Sequence, residues 1–333
     1  MGIGRYNNLF HPDTKDDVLA GGNELNMNKS WECIVIGGGI AGTQAAIQLG
    51  RSQINCLVLD SKEAGRSNIC KDYRNIIGWP EGVSGEELRQ KGKQQASETG
   101  VQFMASHVKM ITKKNDTFFV EIENETHQTK TLLLATGVTD RIPDIPYLRE
   151  CLGSTIYICT DCDGYEALNK KIMVMGAGDA GASLALSLLH WTDEITFINH
   201  EKTPISDDNL SKLTEHQIQY LEEEIESVAK EAEGSFTGVQ LKNGEFLKAD
   251  RAFIGFGGNQ VHTELAKQIG VHIENNRHIK VDARTKETNV KNVWAAGDIV
   301  SHSEQATIAM GDATQAAIWI NKRIMEYKRK GDL

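Results

Sequence analysis

The stretch Glu32-Cys33-Ile34-Val35-Ile36-Gly37-Gly38-Gly39-Ile40-Ala41-Gly42 decides the fold of this 333-residue chain. Its run Cys33 to Ile36 is apolar without polar alternation, the pattern of a strand buried on both faces. Glycines crowd the next six residues, and the helical stretch 43–49 follows. Strand, glycine turn and helix in that order read as the opening of a dinucleotide-binding unit. The spacing GxGxxG has mechanical reasons. Gly37 permits the tight bend, Gly39 lets a pyrophosphate approach the backbone, and Gly42 lets helix and strand pack closely. An anionic phosphate then rests on the helix N-terminus, where free N–H groups and the macrodipole favour it. A second strand over 55–59 ends at Asp60, a carboxylate placed to accept from the adenosine ribose hydroxyls.

One such turn is weak evidence, but the chain repeats it. A strand over 171–175 leads into Gly176-Ala177-Gly178-Asp179-Ala180-Gly181 and a helix over 182–189. Asp60 lies 23 residues after Gly37, and Asn199 lies 23 residues after Gly176, so the two halves keep one register. Two dinucleotides, or one dinucleotide and a relic site, are implied. Asn199 is neutral and is followed by His200-Glu201-Lys202. A 2′-phosphate wants arginine, and Glu201 repels it, so recognition of NADPH is in doubt and NADH stays open beside it.

The remaining features bound the reading. The length suits two domains. A formal net charge of −10 without a basic cluster excludes a nucleic-acid partner. The longest apolar stretches, such as 131–138, fall far below the ~18 residues of a membrane span. Residues 1–27 are polar, lack the apolar core of a signal peptide, and read as a loose extension. A soluble, cytoplasmic protein is expected. Ser84-Gly85-Glu86-Glu87 reads as a capping box that opens a helix. Segments 108–112 and 117–122 read as an antiparallel ribbon. Pro143 and Pro146 break the chain at a plausible hinge. Asn243-Gly244 marks a hairpin, and a strand over 292–296 leads through Gly297-Asp298 into a long helix over about 304–327.

Chemistry concentrates in Cys159-Thr160-Asp161-Cys162-Asp163-Gly164, with Gly176 14 residues beyond Cys162. A CxxC spacing holds two sulfurs close enough for a small-ring disulfide, and neighbouring dipoles lower one thiol's pKa. Redox exchange is the favoured reading. Zinc would need further ligands, and only Cys70 and Cys151 offer them, at irregular spacing, so no metal is expected. An inert packing pair is the third reading. Cys33 and Cys56 lie in apolar strands as core residues. His107, His190, His200 and His302 read as surface or capping residues, with His302 nearest to Gly297-Asp298.

From about residue 30 to 325 this order of parts resembles the low-molecular-weight thioredoxin reductases, flavoproteins with two nucleotide-binding domains. The resemblance rests on GGGIAG (37–42), NIIGWPEGVSGEEL (75–88), ATG (135–137), CTDCDG (159–164), GAGDAG (176–181), AAGDI (295–299) and EQA (304–306). It implies an α/β fold of two Rossmann-like three-layer ββα nucleotide-binding domains, the second inserted into the first. Residues 28–141 and 257–333 would bind FAD, and residues 142–256 would form the inserted pyridine-nucleotide-like domain carrying the CxxC. FAD contacts are implied for Gly37, Gly39, Ile40, Ala41, Gly42, Asp60, Gly65, Arg66, Asn75, Thr136, Gly137, Gly297, Asp298, Gln305 and Ala306. The second nucleotide is implied at Gly176, Gly178 and Gly181. By the same resemblance Cys162 faces the flavin and forms a transient adduct with it, Cys159 attacks a protein disulfide, and Asp163 shuttles the proton.

The implied partner is thioredoxin or a thioredoxin-like protein, the implied assembly a homodimer. The inserted domain rotates about a hinge bracketed by Pro143 and Pro146 on one crossing and 255–258 on the other. Three departures stand out. The family's double arginine reads His200-Glu201-Lys202, its GGQ reads Gly65-Arg66-Ser67, and its RQA reads Glu304-Gln305-Ala306. Some relatives take electrons from ferredoxin or a deazaflavin instead of NADPH, and others are dithiol oxidases passing electrons to oxygen. A flavin redox sensor without turnover is a further alternative.

Overall fold

A computed structural model describes residues 29–61 and 65–332, so the expected extension at 1–27 lies outside the described residues. Each glycine turn leaves the carboxyl end of the central strand of its own parallel sheet. The first sheet runs Val293–Ala295, Leu132–Leu134, Cys33–Ile36, Cys56–Asp60, Gln102–Ala105 in spatial order. The second runs Ile156–Tyr157, Arg251–Gly255, Ile172–Gly176, Ile195–Asn199, Gln219–Leu221. Continuous apolar runs suit these strands because both faces are covered.

Alternate residues of the central strand divide between two cores, as the twofold period of a strand requires. Ile34 and Ile36 face an antiparallel layer that supplies Ile111, Phe118 and Val120. Cys33 and Val35 face the helical layer, meeting Ala45 and Leu49 of helix Ile40–Arg51 and Ala313 and Ile320 of helix Ala306–Lys330. Cys33 and Cys56 are fully buried and paired in register, the core role expected of them. The second domain repeats the arrangement. Met173 and Met175 face an antiparallel layer carrying Val228, Phe236 and Val239. Ile172 and Val174 face Ala182, Ala185 and Leu188 of helix Gly178–Leu188. Both domains are therefore three-layer ββα units.

All strands of the second sheet fall in sequence between Leu132–Leu134 and Val293–Ala295 of the first, so one domain is inserted into the other. The two crossings do not run free. Val138–Thr139 pairs antiparallel with Gln260–Val261, and the Arg141 N–H donates to Asn259 Oδ1 at 3.1 Å.

Local expectations met the structure unevenly. Ser84 accepts the Glu87 N–H at 3.1 Å, but the Glu87 carboxylate pairs with Lys91 at 2.7 Å instead of reaching back, so half of the capping box forms. The ribbon of Met110–Lys114 and Thr117–Glu121 gains two strands, Thr126–Thr129 antiparallel to Thr117–Glu121 and Lys29–Trp31 parallel to Thr126–Thr129. The acidic stretch after Glu222 holds strand Ile225–Lys230, which the charges around it masked; Ile225 and Val228 are its buried residues. The last helix starts two residues later than read and runs on to Lys330.

The close packing at the first turn is testable. A methyl on Gly42 would overlap the Gly37 carbonyl oxygen and approach Val35 Cγ1 to 3.3 Å, whereas a methyl on Gly311 meets nothing within 4 Å. Gly42→Ala is expected to cost about 1–3 kcal/mol of stability, and Gly311→Ala, inside a helix, to gain about 0.5–1 kcal/mol. Urea unfolding of both variants checks this; equal midpoints would refute the packing account.

Candidate functional site

One cavity of about 950 Å³ gathers residues from both domains. The flavin-type domain supplies Gly37, Gly39, Ile40, Ala41, Asp60, Gly65, Arg66, Asn75, Thr136, Gly137, Gly297, Asp298, Gln305 and Ala306; the inserted domain supplies Cys159, Cys162 and Asp163. Its volume is near the top of the ~300–1,000 Å³ range of ligand pockets. Four expected residues do not line it. Gly42 lies beneath the turn, and Gly176, Gly178 and Gly181 build the second turn away from the cavity.

The first turn forms a phosphate cradle by its backbone. Gly37 has φ +105°, a conformation that favours glycine, and carries the chain past the Ala135 carbonyl. The Gly38 N–H donates to Asp60 Oδ1 at 3.1 Å, which ties the acid to the turn. Thr43 Oγ1 donates to the Gly38 carbonyl at 3.0 Å. Gly39 opens onto space with nothing within 4 Å, and it caps helix Ile40–Arg51 without a side-chain hydrogen bond. Arg89, which also lines the cavity, has its Nε buried without a hydrogen-bond partner among the described residues. An open turn and a half-buried arginine whose Nε lacks an acceptor fit a dinucleotide with its anionic pyrophosphate.

The second turn is built differently. The Gly178 N–H donates to Asn199 Oδ1 at 3.1 Å, and Asn199 Nδ2 donates to the Thr203 carbonyl at 2.8 Å and to Tyr220 Oη at 3.1 Å. The Asn199 amide, 1% exposed, is thus committed inside the protein. Glu201 is paired with Arg141 at the crossing between domains.

Both cysteines of the pair are free thiols, with Cys159 capping the single turn Thr160–Asp163. Cys162 donates its hydrogen bond to the Cys159 sulfur. This bond outweighs burial and holds Cys159 below the usual thiol range. The same bond, with burial, pushes Cys162 well above it. Of the two thiols, Cys159 is the one that ionises more readily. Burial, with Glu166 and Asp72 nearby, pushes the Asp163 carboxyl up to about 7, where it exchanges a proton near neutrality. Gln305 Nε2 donates to the Asp161 carbonyl at 3.2 Å and ties the cysteine turn to the other domain, and the Lys71 N–H donates to the Gly153 carbonyl at 3.3 Å, a second tie between the domains.

The sequence reading named Arg66, Cys70, His302 and Glu304 but not the surroundings that the fold gives them, and it missed Tyr73 and Arg89, which also line the cavity. Cys70 lines the cavity, its thiol pushed up to about 12 by burial and hydrogen-bonded by Tyr73. The Arg66 guanidinium donates to Asp140 at 2.7 and 2.6 Å and to Asp298 at 3.1 Å, and also pairs with Glu304. The departures at 66 and 304 thus meet as one ion pair, a compensation that spacing alone does not reveal. His302 lines the cavity as well. Its Nδ1 meets the Ser303 carbonyl at 2.7 Å and its Nε2 meets Asp312, which raises its pKa. Among the described residues no cluster of three or more His, Cys, Asp or Glu is set to hold a metal ion, and no helix is long and apolar enough to cross a membrane.

At neutral pH the reduced protein is expected to react with a limiting amount of iodoacetamide at Cys159 well before Cys162, read by peptide mapping. Faster labelling of Cys162 would reverse this order of the two thiols.

Residues 31–313 match the pyridine nucleotide-disulphide oxidoreductase family. The 34.2 kDa protein in the rubredoxin operon of Clostridium pasteurianum is 31% identical over 316 residues, covering 90% of this chain and 99% of that protein. The thioredoxin reductase of Mycolicibacterium smegmatis is 28% identical over 86% of this chain and 94% of its own length. In fold, the thioredoxin reductase of Streptococcus pyogenes superposes with a TM-score of 0.80 over 90% of this chain and 99% of the other, at 21% identity.

Proposed function

This chain belongs to the pyridine nucleotide-disulphide oxidoreductase family and is a thioredoxin reductase-like flavoprotein enzyme, and from that membership we propose that it reduces the disulfide of thioredoxin or a thioredoxin-like protein through Cys159 and Cys162. The observation that carries this reading is that both thiols and Asp163 line the same cavity as the first glycine turn. We place the division between domains at 141/142 and 256/257, and we expect a homodimer, as the resemblance implies.

In this reading FAD is held by Gly37 to Ala41, Asp60, Asn75, Thr136, Gly137, Gly297, Asp298, Gln305 and Ala306, and when bound it supplies the electron pair that reopens the protein disulfide. The chain's own residues do the exchange. The Cys159 thiolate attacks one sulfur of the partner's disulfide, that bond breaks, and the partner's other sulfur leaves. Asp163, protonated near neutrality, gives that sulfur its proton. Cys162 then attacks the Cys159 sulfur, frees the second partner thiol, and closes the Cys159–Cys162 disulfide. Gln305, bonded to the Asp161 carbonyl, holds the cysteine turn over the cavity, the arrangement in which the disulfide is reopened.

The electron donor follows from the second turn. Asn199 has no free group for a ribose hydroxyl, and Glu201 stands where a 2′-phosphate would need an arginine, so NADPH is a poor donor and NADH has no acid in the usual place. A relative encoded in a rubredoxin operon is consistent with an electron-transfer protein such as ferredoxin in that role.

Cys159→Ser is expected to abolish disulfide turnover and leave flavin content unchanged; full turnover in that variant would overturn the reading. In an anaerobic titration of the flavoprotein, slow or absent bleaching by NADPH is expected. Rapid stoichiometric bleaching by NADPH would overturn the donor assignment and leave the thiol chemistry standing.

A further inference from the structure

The cavity has two arginines, and their surroundings differ. Arg66 is saturated by Asp140, Asp298 and Glu304, three carboxylates around one guanidinium, so that corner offers an anion no net attraction. Arg89 lines the same cavity, yet its Nε is buried without a hydrogen-bond partner, and no carboxylate is paired with it among the described residues. The acids one turn away are engaged elsewhere: Glu86 accepts from Gln90 at 2.9 Å, and Glu87 pairs with Lys91 at 2.7 Å. Lys109, another cation on the lining, is exposed, and His302 is tied to Asp312.

Helix packing aims Arg89 at the cradle. On helix Gly85–Ser97, residues 89 and 92 are three apart and share a face. Gly92 rests on Thr43, where an added methyl would come within 2.5 Å of Thr43 Cγ2. Thr43 lies in the first turn of helix Ile40–Arg51, and its hydroxyl holds the Gly38 carbonyl. The face carrying Arg89 thus packs against the helix that follows the glycine turn, and Arg89 lines the same cavity as Gly39 and Ile40. A buried guanidinium N–H without an acceptor is costly, and an anion entering the cradle removes that cost.

We infer that Arg89 is the counter-ion of the cofactor's pyrophosphate and makes the site select a flavin dinucleotide over a flavin without phosphate. The inference rests on the FAD reading above. Nothing in the residue order points to it: position 89 lies outside every glycine motif, in the middle of a polar helix.

The test compares ligands that differ only beyond the ring system. Flavin is stripped from the protein, and binding of FAD and of riboflavin is followed by flavin fluorescence for unchanged protein, Arg89→Gln and Arg89→Lys. Loss of a charge-assisted contact is expected to weaken FAD ~10–100-fold in Arg89→Gln, with riboflavin affinity unchanged and Arg89→Lys partly restored. Unchanged riboflavin binding also shows that the variant is folded. Should Arg89→Gln fail to fold, Arg89→Lys and the unchanged protein carry the test, with FAD expected to weaken under rising salt and riboflavin not. Equal loss of both ligands in a variant, or no loss of FAD, would overturn the role of Arg89. Failure of the unchanged protein to bind FAD at all would instead overturn the flavin reading on which it rests.

Discussion

The structure depends on a single close contact, the approach of helix to strand at each glycine turn. Where Gly42 lies over the Gly37 carbonyl, no side chain fits between helix and backbone. That contact brings the first amides of helix Ile40–Arg51 to the carboxyl edge of the central strand and leaves Gly39 facing open space. The second domain repeats the contact with Gly181 against Gly176 and the Phe197 ring. Each site is thus fixed to the centre of its sheet before any ligand-binding side chain is placed. Asp60 and Asn199 then differ in what they do with the same position. Asp60 is held by one backbone amide at the cavity, while Asn199 is spent on three internal bonds.

Burial sets the chemistry of the cavity. An Asp163 carboxyl removed from water resists ionisation, and a Cys162 thiol that donates to Cys159 leaves the latter the better thiolate. The pair is polarised by its own hydrogen bond, which sets the acidities of the two sulfurs apart. Around this the protein gathers Asp140, Asp298 and Glu304, and Arg66 joins them. Removing that arginine would leave like charges facing one another in a poorly hydrated space. Asp140 also accepts from Asn259 Nδ2 at 2.9 Å, so the same network reaches the two crossings between domains.

Those crossings give Glu201 a second meaning. As sequence it is an acid where a phosphate-binding arginine would stand. In the fold it pairs with Arg141, whose guanidinium also donates to the Phe256 carbonyl at 3.2 Å. A side chain at the rim of the second turn is thereby fastened to the crossing between the domains.

The two glycine units, their shared register and the CxxC were legible from residue order because each is local: backbone geometry at a turn and sulfur spacing in one short loop span few residues. Apolar runs such as Cys33 to Ile36 likewise declare strands buried on both faces. Strand Ile225–Lys230 was not legible, since its inward residues sit among surface charges that erase the alternation. Arg66 with Glu304, 238 positions apart, meet because the two halves of the first domain fold together around the insertion, and Cys70 shares a cavity with the dithiol only where the inserted domain meets the first. The sequence alone determined that two nucleotide-type units and one dithiol exist. Only the tertiary structure decided that the dithiol faces the first unit and that Asn199 of the second unit is turned inward, because contacts between segments far apart in the chain are set by packing and leave no period or spacing to read.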